Sequence, residues 1–276
     1  MIRTIVVPLD GSPLAARALL CAEPLALAAD ARVLLVRAGG TPPDEEWDER
    51  SALARARSEL AETAERLRRR GVQADWRVEP GDARAAIIRT AREAPADMVV
   101  MGTHGRGVPT EWPHGSVADA VVRDAAGLPV LLVPASCQPS HARGPRVAVL
   151  LDGSSFAEQV LPAAGDLARA MAGRVALLRV AQTGDAVGTD GIRAHLELVK
   201  RAPALDGIPV EVHTAEGDVA AHALGASVAA DVVAMTTHGQ SGHPSVLMGS
   251  VAAAVLRRAR CPVLLLRPTG LRAAAA

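Results

Sequence analysis

The sequence predicts an α/β protein made of two tandem, doubly wound parallel five-stranded sheets of order 3-2-1-4-5, flanked by helices. Three observations carry that prediction. Short apolar runs alternate with helix-spaced segments, the pattern of a parallel sheet with helical crossovers. The chain repeats itself in order: Arg146–Ser154 echoes Thr4–Ser12, Asp231–Gly239 answers Asp97–Gly105, and Gly249–Ala252 answers Gly115–Ala118. Cys261–Leu265 closes the second copy as Leu128–Leu132 closes the first. Finally, 276 residues make two ordinary domains, and the period is far too long for a solenoid. The expected division is a first domain at 1–138, a linker at 139–145, a second domain at 146–268 and a tail at 269–276.

Each element follows from its residues. Ile5-Val6-Val7 is a buried first strand by its continuous β-branched character. Pro8 at its end is tolerable where the strand is already leaving the ladder. Pro13–Ala29 reads as a helix, with Ser12 as N-cap and proline at the first helical position. Val33–Val36 is the second strand. A charged helix over roughly 51–70 follows, ended by Gly71, and its alternating acids and bases from Glu59 to Arg70 mark a solvated face. Val72–Val78 is a third strand with partial alternation, nearer a sheet edge. A helix over 83–94, a strand over 97–101, a helix over 116–125 and a strand over 130–133 complete the first copy. The second copy reads the same way, with a shorter middle helix near 192–201.

Composition bounds the setting. Apolar residues at 49% suffice for two cores, and aromatics at 1%, with no Tyr and one Phe, make those cores Ala, Val and Leu. So few aromatics and a net charge of zero argue against a nucleic-acid partner, which needs stacking platforms and a basic footprint. Cys21, Cys137 and Cys261 are scattered, giving neither a metal spacing nor a disulfide framework, as suits a reducing cytoplasm. Met1-Ile2-Arg3 runs straight into a strand, so no signal peptide is expected, and no apolar run approaches a membrane span.

The most informative stretch is Gly102-Thr103-His104-Gly105, followed after nine residues by Gly115-Ser116. A glycine loop leaving a strand lets backbone N–H groups approach an anion, because no Cβ stands in the way. Gly-Ser at the next helix start adds N–H donors, a hydroxyl and the positive end of the helix dipole. That chemistry suits a nucleotide polyphosphate, and the spacing is neither a P-loop nor GxGxxG. In an open parallel sheet ligands sit beyond the carboxyl ends of strands at the switch point. Order 3-2-1-4-5 would set Asp10-Gly11-Ser12 and Gly102–Gly105 facing each other there.

With those residues in place, the chain resembles the universal stress protein family over nearly its whole length, as two copies. The resemblance to its ATP-binding branch, with its G-x2-G-x9-G-S/T loop, implies an adenine nucleotide cofactor, ATP with or without Mg2+. It implies phosphates on Gly105, Gly115 and Ser116, ribose near Gly102, adenosine contacts at Asp10 and a backbone contact at Ala38. His104 lies inside the same loop. The second copy implies a weaker site at Asp152, Val180, Gly239, Gly249 and Ser250, because Thr236 replaces the first glycine. The first spacer holds Pro109, Trp112, Pro113 and His114, where the family has a leucine-rich segment. The implied role is a cytoplasmic stress-response and signalling protein, with slow ATP hydrolysis at most.

Blander readings stand beside these. Asp10 and Asp152 also suit caps of Asp-Gly-Ser turns. His104 and His238 have no relay partner at catalytic spacing, so a structural or phosphate-side hydrogen bond is the expected role. Ser12, Ser154 and Ser155 have no base placed for them and are not nucleophiles. A nucleotide-free interaction protein of the same fold is the alternative function, and a nucleotide-dependent transferase is a weaker one. The apolar final strands, Val130–Val133 and Val263–Leu266, are the sheet edges in this order. They point to an intrachain pseudo-dimer of the two domains, with a homodimer of whole chains as a further option.

Overall fold

A computed structural model describes residues 1–39, 49–104, 116–137, 144–181, 188–238 and 248–270. The chain divides into two compact units, Met1–Ala135 and Ser136–Ala276. Most of the expected linker (139–143 of it) and of the expected tail (271–276 of it) lies outside the described residues, as does residue 138.

The first unit runs β1 (Thr4–Pro8), α1 (Pro13–Ala16), α2 (Leu19–Ala29), β2 (Arg32–Ala38), α3 (Glu49–Arg69) and β3 (Ala74–Glu79). It continues with α4 (Ala83–Glu93), β4 (Met98–Gly102), α5 (Ser116–Asp124) and β5 (Val130–Val133). Its strands are parallel in the order β3-β2-β1-β4-β5. The chain therefore reverses direction of progress between β1 and β4, which is the switch point. Helix α3 buries Ala56, Leu60, Ala64 and Leu67, a single stripe at helical spacing, and leaves most of its charged residues exposed. It stops where Gly71 takes φ +91°, and Val72 N–H closes onto the Leu67 carbonyl at 3.0 Å.

The second unit repeats the plan. It runs β6 (Arg146–Leu151), α6 (Ser155–Glu158), α7 (Leu161–Ala170), β7 (Arg174–Ala181), α8 (Thr189–Val199) and β8 (Val210–Glu216). Helix α9 (Val219–Ala229), β9 (Val232–Thr236), α10 (Ser250–Arg258) and β10 (Val263–Leu266) complete it. Its strands are parallel in the order β8-β7-β6-β9-β10. That is again 3-2-1-4-5.

Two expectations about the first crossover need adjustment. The helix expected over 13–29 is two helices, because the chain tightens at Arg17 and Ala18 into i→i+3 bonds (Arg17 N–H to Leu14 O at 3.2 Å, Ala18 N–H to Ala15 O at 3.1 Å). The second copy breaks alike, with Gln159 N–H on Phe156 O at 3.2 Å. Pro8 does belong to β1 and pairs in register with Val36. Leu9 N–H donates to Val36 O at 2.9 Å, and successive N–H groups alternate sides, so the Pro8 nitrogen faces β4. There the register ends at Val6 opposite Val99, and the missing donor costs the ladder nothing.

The same acidic clip starts the first strand of each unit. The Asp97 carboxylate accepts from Arg3 N–H and Thr4 N–H at 2.7 and 2.9 Å, and Asp231 accepts from Arg146 N–H at 2.8 Å. These residues satisfy backbone donors at the amino ends of the strands, away from the candidate site.

Candidate functional site

At the carboxyl ends of β2, β1 and β4 the first unit brings together Ala38, Asp10 and Gly102. Ala38 and Gly102 are the last residues of their strands, and Asp10 opens the turn after β1. That turn is tightly built. Asp10 Oδ1 accepts from Ser12 N–H at 2.8 Å, Gly11 takes φ +83°, and Ser12 Oγ accepts from Ala15 N–H at 3.0 Å as the cap of α1. The turn-forming reading of Asp10 is thus realised. It orients one carboxylate oxygen along the turn and leaves the residue half-buried at the crevice.

Gly102 backs onto helix α1, which that turn starts. A Cβ there would meet Leu14 O at 3.0 Å, His104 O at 3.2 Å and Ala15 Cα at 3.4 Å, mostly backbone that cannot swing away. The first glycine therefore lets the end of β4 lie against α1. Beyond it, Thr103 is buried and hydrogen-bonded through Oγ1 to His104 Nδ1 at 3.0 Å, while its N–H reaches Val133 O at 3.1 Å. His104 is half-buried and held by its neighbour, and among the described residues no carboxylate forms a relay with it. Gly105 and Gly115 lie outside the described residues. Ser116 is the first residue of α5, and its side chain is outside them as well.

The second unit copies this frame with substitutions. Asp152 Oδ1 accepts from Ser154 N–H at 2.9 Å and from Ser154 Oγ–H at 2.6 Å, and Ser154 Oγ caps α6 through Ala157 N–H at 3.1 Å. Thr237 Oγ1 pairs with His238 Nδ1 at 2.8 Å. Thr236, in the place of Gly102, is buried and donates its hydroxyl to His238 O at 2.7 Å. The carbonyl that a Cβ on Gly102 would crowd is thus, in the second unit, the acceptor of a side-chain bond. Gly249 N–H donates to Thr237 O at 2.8 Å, and a Cβ on Gly249 would meet that oxygen at 3.2 Å. Gly249 and Ser250 start α10, Val180 is buried near the end of β7, and Gly239 lies outside the described residues.

Sequence reasoning missed one pair of residues here. Arg37 and Arg179 occupy matching places near the ends of β2 and β7, and both are buried. Arg37 Nη1 donates to Glu59 Oε2 at 2.5 Å, and Arg55 Nε donates to Glu59 Oε1 at 2.8 Å. The hydrogen bonds from Arg37 and then Arg55 hold the Glu59 carboxyl below its usual range. The available signal was an arginine at the same point of an otherwise apolar strand in both copies.

No group of three or more His, Cys, Asp or Glu side chains suited to a metal exists among the described residues. Burial, with Cys137 nearby, pushes the Cys261 thiol up to about 11, so it is a packing residue rather than a nucleophile. Among the described residues no helix is long and apolar enough to cross a membrane.

Comparison with known proteins agrees with this architecture. The model of the universal stress protein family matches residues 1–134 and again 145–267. A universal stress protein of Mycobacterium tuberculosis is 30% identical over 187 residues, covering 62% of this chain and 62% of its own length. The chain thus spans less than two thirds of that relative. One from Thermus aquaticus is 36% identical over 137 residues, covering 48% of this chain and 99% of its own. The crystal structure of a universal stress protein from Archaeoglobus fulgidus superposes with a TM-score of 0.74 at 21% identity, over 96% of this chain and 98% of that one. That likeness is one of fold.

Proposed function

This chain belongs to the universal stress protein family, as two tandem copies, and on that premise we propose that its first unit binds ATP and uses the bound state to signal. The observation that carries the reading is the juxtaposition at the switch point. Helix α1, which the Asp10–Ser12 turn starts, lies against the end of β4 at Gly102, and the chain that leaves β4 has the glycine and serine spacing of an anion cradle. Adenine and ribose would lie across Ala38, Asp10 and Gly102, and phosphates along Gly105, Gly115 and Ser116. The protein would work in the cytoplasm, and Mg2+ would enter with the phosphates rather than through a protein cage. In this reading the bound nucleotide is an effector, since no base is placed beside Ser12 among the described residues.

The test is Gly115→Val in the full chain. A branched side chain there blocks approach to the backbone donors, and ATP affinity measured by calorimetry should fall at least about a hundredfold. Unchanged affinity would sink the assignment. Adenine nucleotide retained through purification of the wild-type chain, and absent from the variant, is the companion result.

A further inference from the structure

The two units treat their outer strands differently. In each the third strand ends the sheet order, β3 in the first unit and β8 in the second. Gln73 O accepts from Val33 N–H and Glu79 O from Gly39 N–H, both at 2.7 Å, so the peptide groups of Ala74, Trp76 and Val78 point away from β2. That outward row is already blocked, because Arg68 Nε of α3 donates to Ala74 O at 2.8 Å. The side chains of Asp75, Arg77 and Glu79 are drawn onto the same unit's helices by Arg68, Glu93 and Arg89. A guanidinium seated on the main chain and charges tied down beside it blunt this edge.

Strand β8 carries no such guard. Pro209 O accepts from Val175 N–H at 2.9 Å and Gly217 N–H donates to Ala181 O at 3.0 Å, which turns the peptide groups of Val210, Val212, Thr214 and Glu216 outward. Among the described residues no side chain bonds to them, and the hydrogen bonds of Glu211, His213 and Glu216 beyond the ladder run through their side chains. The strand reads Val-Glu-Val-His-Thr-Ala-Glu, without Lys or Pro, and none of its residues is buried.

This edge matches itself. Antiparallel pairing about a twofold axis at Val212 lets Val210 and Thr214 exchange main-chain bonds with the partner's Thr214 and the partner's Val210, and Val212 with the partner's Val212. The positions between are the closer, non-hydrogen-bonded ones, where Glu211 meets the partner's His213 and His213 meets the partner's Glu211. Arg146 Nη2, 2.8 Å from Glu211 Oε2 and 3.0 Å from His213 Nε2, holds both side chains on one face. An axis at Glu211 or at His213 would instead set like side chains against each other, so the charge pattern selects the register.

We propose that β8 is the contact through which two copies of this chain pair, joining their second units edge to edge. The occupant is a second copy because main chain and side chains complement themselves in one register. The contact lies at the opposite end of the second unit's strand order from β10, and it does not depend on nucleotide in the first unit.

Sedimentation velocity of the full chain at concentrations up to about 100 μM tests it, and wild type should dimerise. Val212→Pro removes an outward N–H that the β7–β8 ladder does not use, so the unit keeps its own pairing while dimer affinity falls at least about tenfold. His213→Glu sets a carboxylate against the partner's Glu211, should weaken the dimer likewise, and serves if the proline variant misfolds. Hydrogen exchange gives the local readout: the amides of Val210, Val212 and Thr214 should slow as protein concentration rises in the wild type, and those of Val210 and Thr214 should not in the variants. A wild-type chain that stays monomeric overturns the proposal. So does a dimer that persists in both variants, or one that leaves those amides exchanging at the monomer rate.

Discussion

Gly102 and Thr236 show what one side chain does at equal places in the two copies. At 102 a Cβ has Leu14 O at 3.0 Å and His104 O at 3.2 Å in its way. Gly102→Ala should therefore cost about 1–3 kcal/mol by forcing β4 and α1 apart, read from urea unfolding of the full chain. At 236 the side chain is already built in, and its hydroxyl donates to His238 O at 2.7 Å. Thr236→Gly removes that buried bond and should cost about 1–3 kcal/mol, because the carbonyl loses its partner. A stability-neutral Thr236→Gly would mean the bond is idle. In binding, the same asymmetry predicts one tight ATP site per chain. Two equal sites by calorimetry would contradict it.

At the scale of elements, α3 is held to the sheet by an ion pair as well as by its apolar stripe. Glu59 joins α3 to Arg37 of β2 at 2.5 Å, and its carboxyl titrates below the ordinary 4.5. A carboxylate with a lowered folded value adds stability that is fully present above the unfolded value. That stability is lost as pH falls through the folded value. The first unit should therefore weaken on acidification from about pH 5 downward. Glu59→Gln should remove that part of the slope while lowering stability at neutral pH, because Arg37 is left without its counter-charge. Hydrogen exchange of β2 amides between pH 4 and 7 reports it locally. Equal pH slopes for wild type and variant would assign the acid loss elsewhere.

For the whole molecule, the order 3-2-1-4-5 puts β5 and β10 at one side of each unit's own sheet, and both are short and wholly apolar. An apolar edge left open invites pairing. Residues 1–135 expressed alone should thus sediment as a dimer, and Leu131→Lys should make them monomeric. A monomeric wild-type fragment would show that β5 needs no cover. The repeat, the strand order, the Ser12 cap and the stop at Gly71 were all legible in the sequence. Each depends on local chemistry or on periodicity, which a chain carries along its length. The paired roles of Asp10 and Asp152 as turn acceptors were legible too, as one of two readings. What only the tertiary structure decided was contact between distant segments. It showed that Gly102 is needed against Leu14 and Ala15, that Thr236, in the place of a glycine, bonds to His238 O, and that Arg37 is paired with Glu59. A strand pattern says that an arginine is buried. Whether a carboxylate meets it depends on which residue of a helix many positions away the fold turns inward, and no local periodicity encodes that.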